Sequence, residues 1–147
     1  MTTGETTASG LVVNCDGEPF VPLGYKIGEH KPRNKFPWSP GCIVFRPMMD
    51  LIQTKDWDRK SPSALYDELA TNPVCNINVL EFLKNNPKKI PKELERKWIF
   101  FLDTTYIRYD DSDRYVCYLR NSGSWSHDTI WWCGVPHQHY YVALYAD

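Results

Sequence analysis

No part of this chain approaches the roughly 18 consecutive apolar residues that a membrane-crossing helix requires, and a membrane is therefore not an expected partner. Nor is there an excess of positive charge. Seventeen basic side chains face 18 acidic ones, for a formal net charge of -1. A protein that binds nucleic acid by neutralising phosphates needs a basic excess or a basic stripe. The one basic cluster here, Lys84 to Lys97, is diluted by Glu93 and Glu95 and reads as a solvated surface. Nucleic acid is accordingly not an expected partner either. The first residues lack the basic start and apolar run of a secretory signal, which makes the cytoplasm the expected location.

Catalytic and cofactor signatures are missing as well. The five cysteines (Cys15, Cys42, Cys75, Cys117 and Cys133) include no CxxC pair, which excludes a zinc knuckle and a thioredoxin-type centre. Thiols in such a setting are expected to be reduced and mostly buried. Cys133 and His137 stand four apart, open to two readings: a Cys–His dyad in space, or a buried inert thiol. There is no GxSxG, no GxGxxG and no phosphate loop. Carboxylates are not paired in an apolar setting as a glycosidase needs. No cofactor is expected.

What is present is an ordinary globular composition with an uneven aromatic load. The chain has 147 residues, 42% hydrophobic and 24% charged, enough for one domain with its own core. Aromatic residues make up 14%, and most lie from Trp98 onward. The first ten residues, polar and small, are expected to form a flexible end, with residues 11–147 a single globular domain. Short strands are predicted at Leu11–Val13, around Tyr25–Glu29 and at Cys42–Phe45, with a proline-rich loop between Pro32 and Pro40.

Two helices follow, near 62–71 and 79–86. Ser61-Pro62 signals the first, because Ser61 can cap an unpaired N–H and Pro62 has none to leave unpaired. Asn78 with Glu81 three residues later has the spacing of a capping box for the second, with Ile77 and Phe82 as a hydrophobic staple. From Trp98 the pattern turns to strands. Apolar and aromatic segments separated by Asp110–Asp113, Asn121–Gly123 and Gly134–Pro136 predict a four-stranded antiparallel meander over residues 98–145. The expected fold class is α+β: a short N-terminal β portion, two central helices and this meander. Alternation suggests that Tyr115, Leu119, Val142 and Leu144 share the buried face, and that both faces of the strand after Trp98 are covered.

Several strings occur together in a familiar order: EPFVPLGYKIGEHK, the spaced Phe36 and Trp38, PVCNINVLEFLKNNPKKIP, KWIFFLDTTYIRYDDSDRYVCYLR, and a tail with Trp125, Trp131 and Trp132. Their order resembles a family of uncharacterised bacterial proteins. In that family a DPFVP-G-(W/Y)-K-V-EHK opening precedes a PVLNANVLDYLL-P-IP helix and a terminal part rich in Trp and Tyr. The resemblance runs from about Val13 to the end and implies a complete single-unit protein. Leu102-Asp103 stands here where that family has Trp-Gly, and the last strand is richer in His and Tyr. No activity is known for the family, so the resemblance supplies no catalytic residue.

Three groups of residues are candidates for chemistry. Trp125, Trp131, Trp132, Tyr118, Tyr141 and Tyr145 form the main set. Trp125 and Trp131 share a face if no bulge intervenes, and an aromatic sheet face can stack sugars, bases or proline-rich peptide. The other reading of these rings is core packing. His137 and His139 would project from one face of a strand, a spacing that can hold Zn²⁺ if His127 or Asp128 adds a third ligand. Asp110, Asp111 and Asp113 make an acidic turn without the spacing of an EF-hand. The leading expectation is a non-catalytic module that binds protein or carbohydrate through its aromatic face. The alternatives are a small metal-dependent enzyme or metal-binding protein centred on the three histidines, and a structural subunit whose aromatic patch is a self-interface.

Overall fold

The computed structural model describes residues 4–7, 10–53, 56–110 and 112–146. In chain order the elements are β1 (Gly4–Thr7), β2 (Gly10–Val13), β3 (Tyr25–His30), β4 (Phe36–Pro37), β5 (Ile43–Pro47), α1 (Pro62–Leu69), α2 (Ile77–Asn85), β6 (Trp98–Arg108), β7 (Arg114–Asn121), β8 (Trp125–Trp131) and β9 (Tyr140–Tyr145), with short 3-10 turns between them. The fold is α+β, as expected. Strands β1, β2 and β4 form a small antiparallel sheet, and the other six form one mixed sheet. The N-terminal stretch expected to be flexible thus contributes a strand, with Glu5 opposite Val12. No helix among the described residues is long and apolar enough to cross a membrane.

Strand β6 organises the large sheet because it is long enough to serve three neighbours. It pairs antiparallel with β7 at both ends, Ile99–Phe101 and Tyr106–Ile107, with an irregularity in the register between them. Its other edge is divided: Trp98–Phe100 run parallel to Tyr140–Val142 of β9, and Thr104–Arg108 pair antiparallel with β3. This corrects the expected meander. β6, β7 and β8 are its three antiparallel strands, but β9 does not pair with β8. It crosses back to lie between β6 and β5. The physical reason lies in residues 132–136. Trp132 is buried against α1, and Gly134 takes a positive φ of 74° against Pro62, so the chain is led over the sheet instead of turning back on itself.

The sheet is covered on both sides. On one face, Ile77, Leu80 and Leu83 of α2 pack on Ile99, Phe101, Cys117 and Leu119. On the other, Leu65 and Leu69 of α1 join Met48 against Phe100, Leu102, Val116 and Val142. Hence Ile99, Phe100, Phe101 and Leu102 are all 0–1% exposed, as two apolar faces in the sequence predict. Each such side chain contributes about 1.5–3 kcal/mol through burial. The parallel pairing of β9 also decides a second correction. Tyr115 and Leu119 lie on the α2 face, whereas Val142 and Leu144 lie on the α1 face.

The start of α1 is as the sequence predicts: Ser61 Oγ accepts from Ala64 N–H at 3.1 Å and Pro62 opens the helix. Helix α2 begins two residues earlier than expected. Its cap is Asn76, whose Oδ1 accepts from Asn78 N–H at 3.1 Å. Asn76 wins because it is also wanted elsewhere. It is fully buried, and its Nδ2 donates to the carbonyls of Cys15 and Lys31. Asn78, inside the first turn, donates its Nδ2 to Asn14 and Gly17, both at 2.9 Å. Two loops are thereby fastened to one helix end.

Candidate functional site

A cleft of about 450 Å³ opens where β3, the first turn of α1, the start of β7 and the end of β8 converge. Its floor includes an irregularity in β3. The register against β6 jumps between Ile27 and Glu29. A Cβ at Gly28, between them, would sit 3.0 Å from Thr105 Oγ1 and 3.2 Å from Ile107 Cγ1. A larger residue would press on these neighbours, so the close approach of the two strands favours glycine here. Glu29 is held beside the gap, its backbone N–H donating to Thr105 Oγ1 at 3.0 Å.

The opposite wall is rigid. Trp132 N–H donates to the Arg114 carbonyl at 2.9 Å, and its indole N–H donates to the Pro62 carbonyl. The same indole meets the Tyr66 ring edge-on, with centroids 6.1 Å apart. The Arg114 guanidinium lies 3.9 Å above the Tyr66 ring. Burial pushes the Tyr66 phenol up to about 12, so it stays a donor, and it bonds the Leu102 carbonyl. Trp131, next in the chain to the buried Trp132, is 51% exposed and lines the cleft. The polar lining is Glu29, Asp113, Arg114 and the hydroxyls of Ser61, Ser63 and Ser112. A ring, two carboxylates, one guanidinium and several hydroxyls therefore line one opening.

Of the six aromatic residues singled out in the sequence, only Trp131 and Trp132 come together in this cleft. Trp125 and Trp131 do share a face, since β8 runs in unbroken register with β7, but they stand at opposite ends. Trp125 is half-buried against the α2-side core. Tyr118 is buried on the α1 side, stacked on Trp98 at 4.3 Å and 11°. Tyr145 is buried with the Arg33 guanidinium 3.9 Å over its ring, and Tyr141 is half-buried on the α2 side. The period-two pattern places each ring on a face, but both faces are covered, so most of these rings are core.

The histidines are dispersed. His137 and His139 are in the turn before β9, not on a strand, beside Arg96, Trp98 and Tyr140. The strand geometry that would set both rings on one side is therefore absent. His127 is on β8, where Lys84 Nζ donates to its Nδ1 at 2.9 Å and the Phe20 ring lies 4.8 Å away. Among the described residues no three His, Cys, Asp or Glu side chains gather as a metal group would. In the acidic turn, Asp110 pairs with Arg108 at 3.4 Å, and Asp111 lies outside the described residues. Burial raises the thiol of Cys15 to about 11 and that of Cys117 to about 12, and Cys75 is raised too, so these are inert. Cys133, read as either catalytic or buried, is exposed.

Glu29, Gly28 and Arg114 were not singled out in the sequence. The available signal was a glycine interrupting the alternation of Tyr25, Ile27 and Glu29, which marks a bulge or a close approach. No protein family, curated protein or solved structure matches this chain.

Proposed function

We propose that this protein is a non-catalytic binding module whose ligand seats in the cleft against Trp131. The observation that carries the reading is the half-exposed indole at a preformed, rigid opening. A tryptophan side chain can bury about 200 Å². At about 25 cal/mol per Å², covering the exposed half of the ring would gain roughly 2.5 kcal/mol. The five-residue network of Trp132, Pro62, Tyr66, Arg114 and Leu102 supports this reading, because a wall already ordered has little entropy left to lose on binding.

The self-interface reading has one feature in its favour, since β8 is an edge strand. That edge is partly closed, however. Asp128 Oδ1 accepts the Thr129 backbone N–H at 2.9 Å, which occupies a donor that a docking strand would use. The test is an NMR titration that follows the Trp131 indole N–H against soluble saccharides, proline-rich peptides and short oligonucleotides. Binding by any of these should move that resonance and leave the buried Trp132 indole nearly still. Silence from all three classes, with a concentration-dependent rise in mass by light scattering, would replace this reading with the self-interface.

A further inference from the structure

The chemistry of the cleft lining narrows the ligand class, on the condition that the cleft is the binding site. Four observations bear on it. The lining has one exposed ring, Trp131, and it adjoins polar groups rather than further aromatic ridges. The ionised lining groups are Glu29, Asp113 and Arg114, two acidic and one basic, so a phosphate backbone would meet net repulsion. Acceptors and donors are mixed: carboxylates accept, the guanidinium donates, and the hydroxyls of Ser61, Ser63 and Ser112 do both. Finally, the Arg114 guanidinium lies over the Tyr66 ring, and the Glu29 backbone is held at the cleft by its bond to Thr105.

We infer that the cleft takes a neutral oligosaccharide, with one sugar ring lying on the Trp131 indole and its hydroxyls bonded by Glu29, Asp113 and Arg114. A pyranose matches both halves of this surface. Its C–H face is apolar and flat enough to cover an indole, and its vicinal hydroxyls each donate and accept. Paired carboxylate and guanidinium groups make strong, directional bonds to such hydroxyls. A proline-rich peptide would call instead for a groove of several parallel rings.

The experiment titrates the full chain with neutral glucose hexamers of α and β linkage, a chitin-type hexamer, a proline-rich decapeptide and a thymidine decanucleotide, each followed at the Trp131 indole N–H. At least one neutral saccharide is expected to shift it. Followed by backbone amide shifts, Trp131→Ala should weaken that binding by about tenfold or more, while Trp125→Phe should leave it unchanged. Glu29→Gln and Asp113→Asn should each weaken it about three- to tenfold, with amide spectra showing the fold intact. A shift caused only by the peptide or the oligonucleotide would overturn the saccharide assignment and leave the cleft as the binding site. A saccharide whose binding survives Trp131→Ala would overturn it too. No shift with any probe would remove both the saccharide and the cleft.

Discussion

The indole N–H of Trp132 donates to the Pro62 carbonyl across 2.6 Å, joining two residues 70 positions apart. This bond fastens the first turn of α1 to the end of β8 and so shapes one wall of the cleft. It also gives the chain its direction after β8. Trp132→Phe keeps an aromatic ring near Tyr66 but removes both the donor and part of the buried indole. The substitution should cost about 2–3 kcal/mol in urea unfolding, with an unchanged slope against denaturant.

Gly134 provides a sharper test of the same junction. Its φ is 74°, and an added Cβ would lie 2.7 Å from Pro62 Cα, so backbone would have to move. Gly41 has a similar φ of 83° with nothing within 4 Å. Gly41→Ala should cost about 1 kcal/mol from the left-handed backbone alone. Gly134→Ala should cost about 1–3 kcal/mol more, since it adds a clash to the same strain. Equal midpoints of thermal unfolding for the two variants would refute the close contact.

The two helix caps should differ in the same comparative way. Ser61 is exposed and satisfies one N–H, so Ser61→Ala should cost about 0.5–1 kcal/mol. Asn76 is buried and holds Asn78 N–H and the carbonyls of Cys15 and Lys31. Asn76→Ala leaves three backbone groups, two of them buried, without that partner and should cost about 3–5 kcal/mol. Amide exchange in loops 14–17 and 31–33 should rise with it, as these loops are tied to that side chain.

Acid should destabilise the protein through His30 and His127. Burial lowers the affinity of both for a proton, and at His127 the Lys84 ammonium adds to the effect. Each histidine is thus neutral in the folded state at pH values where the unfolded chain already binds the proton. Stability is full above the ordinary value of 6.5 and is lost as the pH falls below it towards the folded-state values. His127→Gln should flatten that acid limb, measured as the difference in unfolding free energy between variant and parent so that other groups cancel. An unchanged limb would place His127 in solvent.

The local chemistry of the sequence determined a good part of this protein. Ser61-Pro62 started α1 because a hydroxyl cap and a missing N–H act within one turn. The apolar run 99–102 marked a strand covered on both faces because alternation with period two is a property of any pleated chain. The α+β class followed from the same patterns. Asn76 was missed as the cap in favour of Asn78 because either side chain can cap locally, and only the distant carbonyls of Cys15 and Lys31 decide between them. The tertiary structure alone decided where β9 goes. Pairing partners are chosen by what the intervening loop can reach, and the docking of Trp132 and Gly134 on Pro62 sends residues 132–139 back across the sheet. That choice set Val142 and Leu144 opposite Tyr115 and Leu119, buried most of the terminal aromatics, and left Trp131 half-exposed beside a bulge contributed by residues more than a hundred positions away.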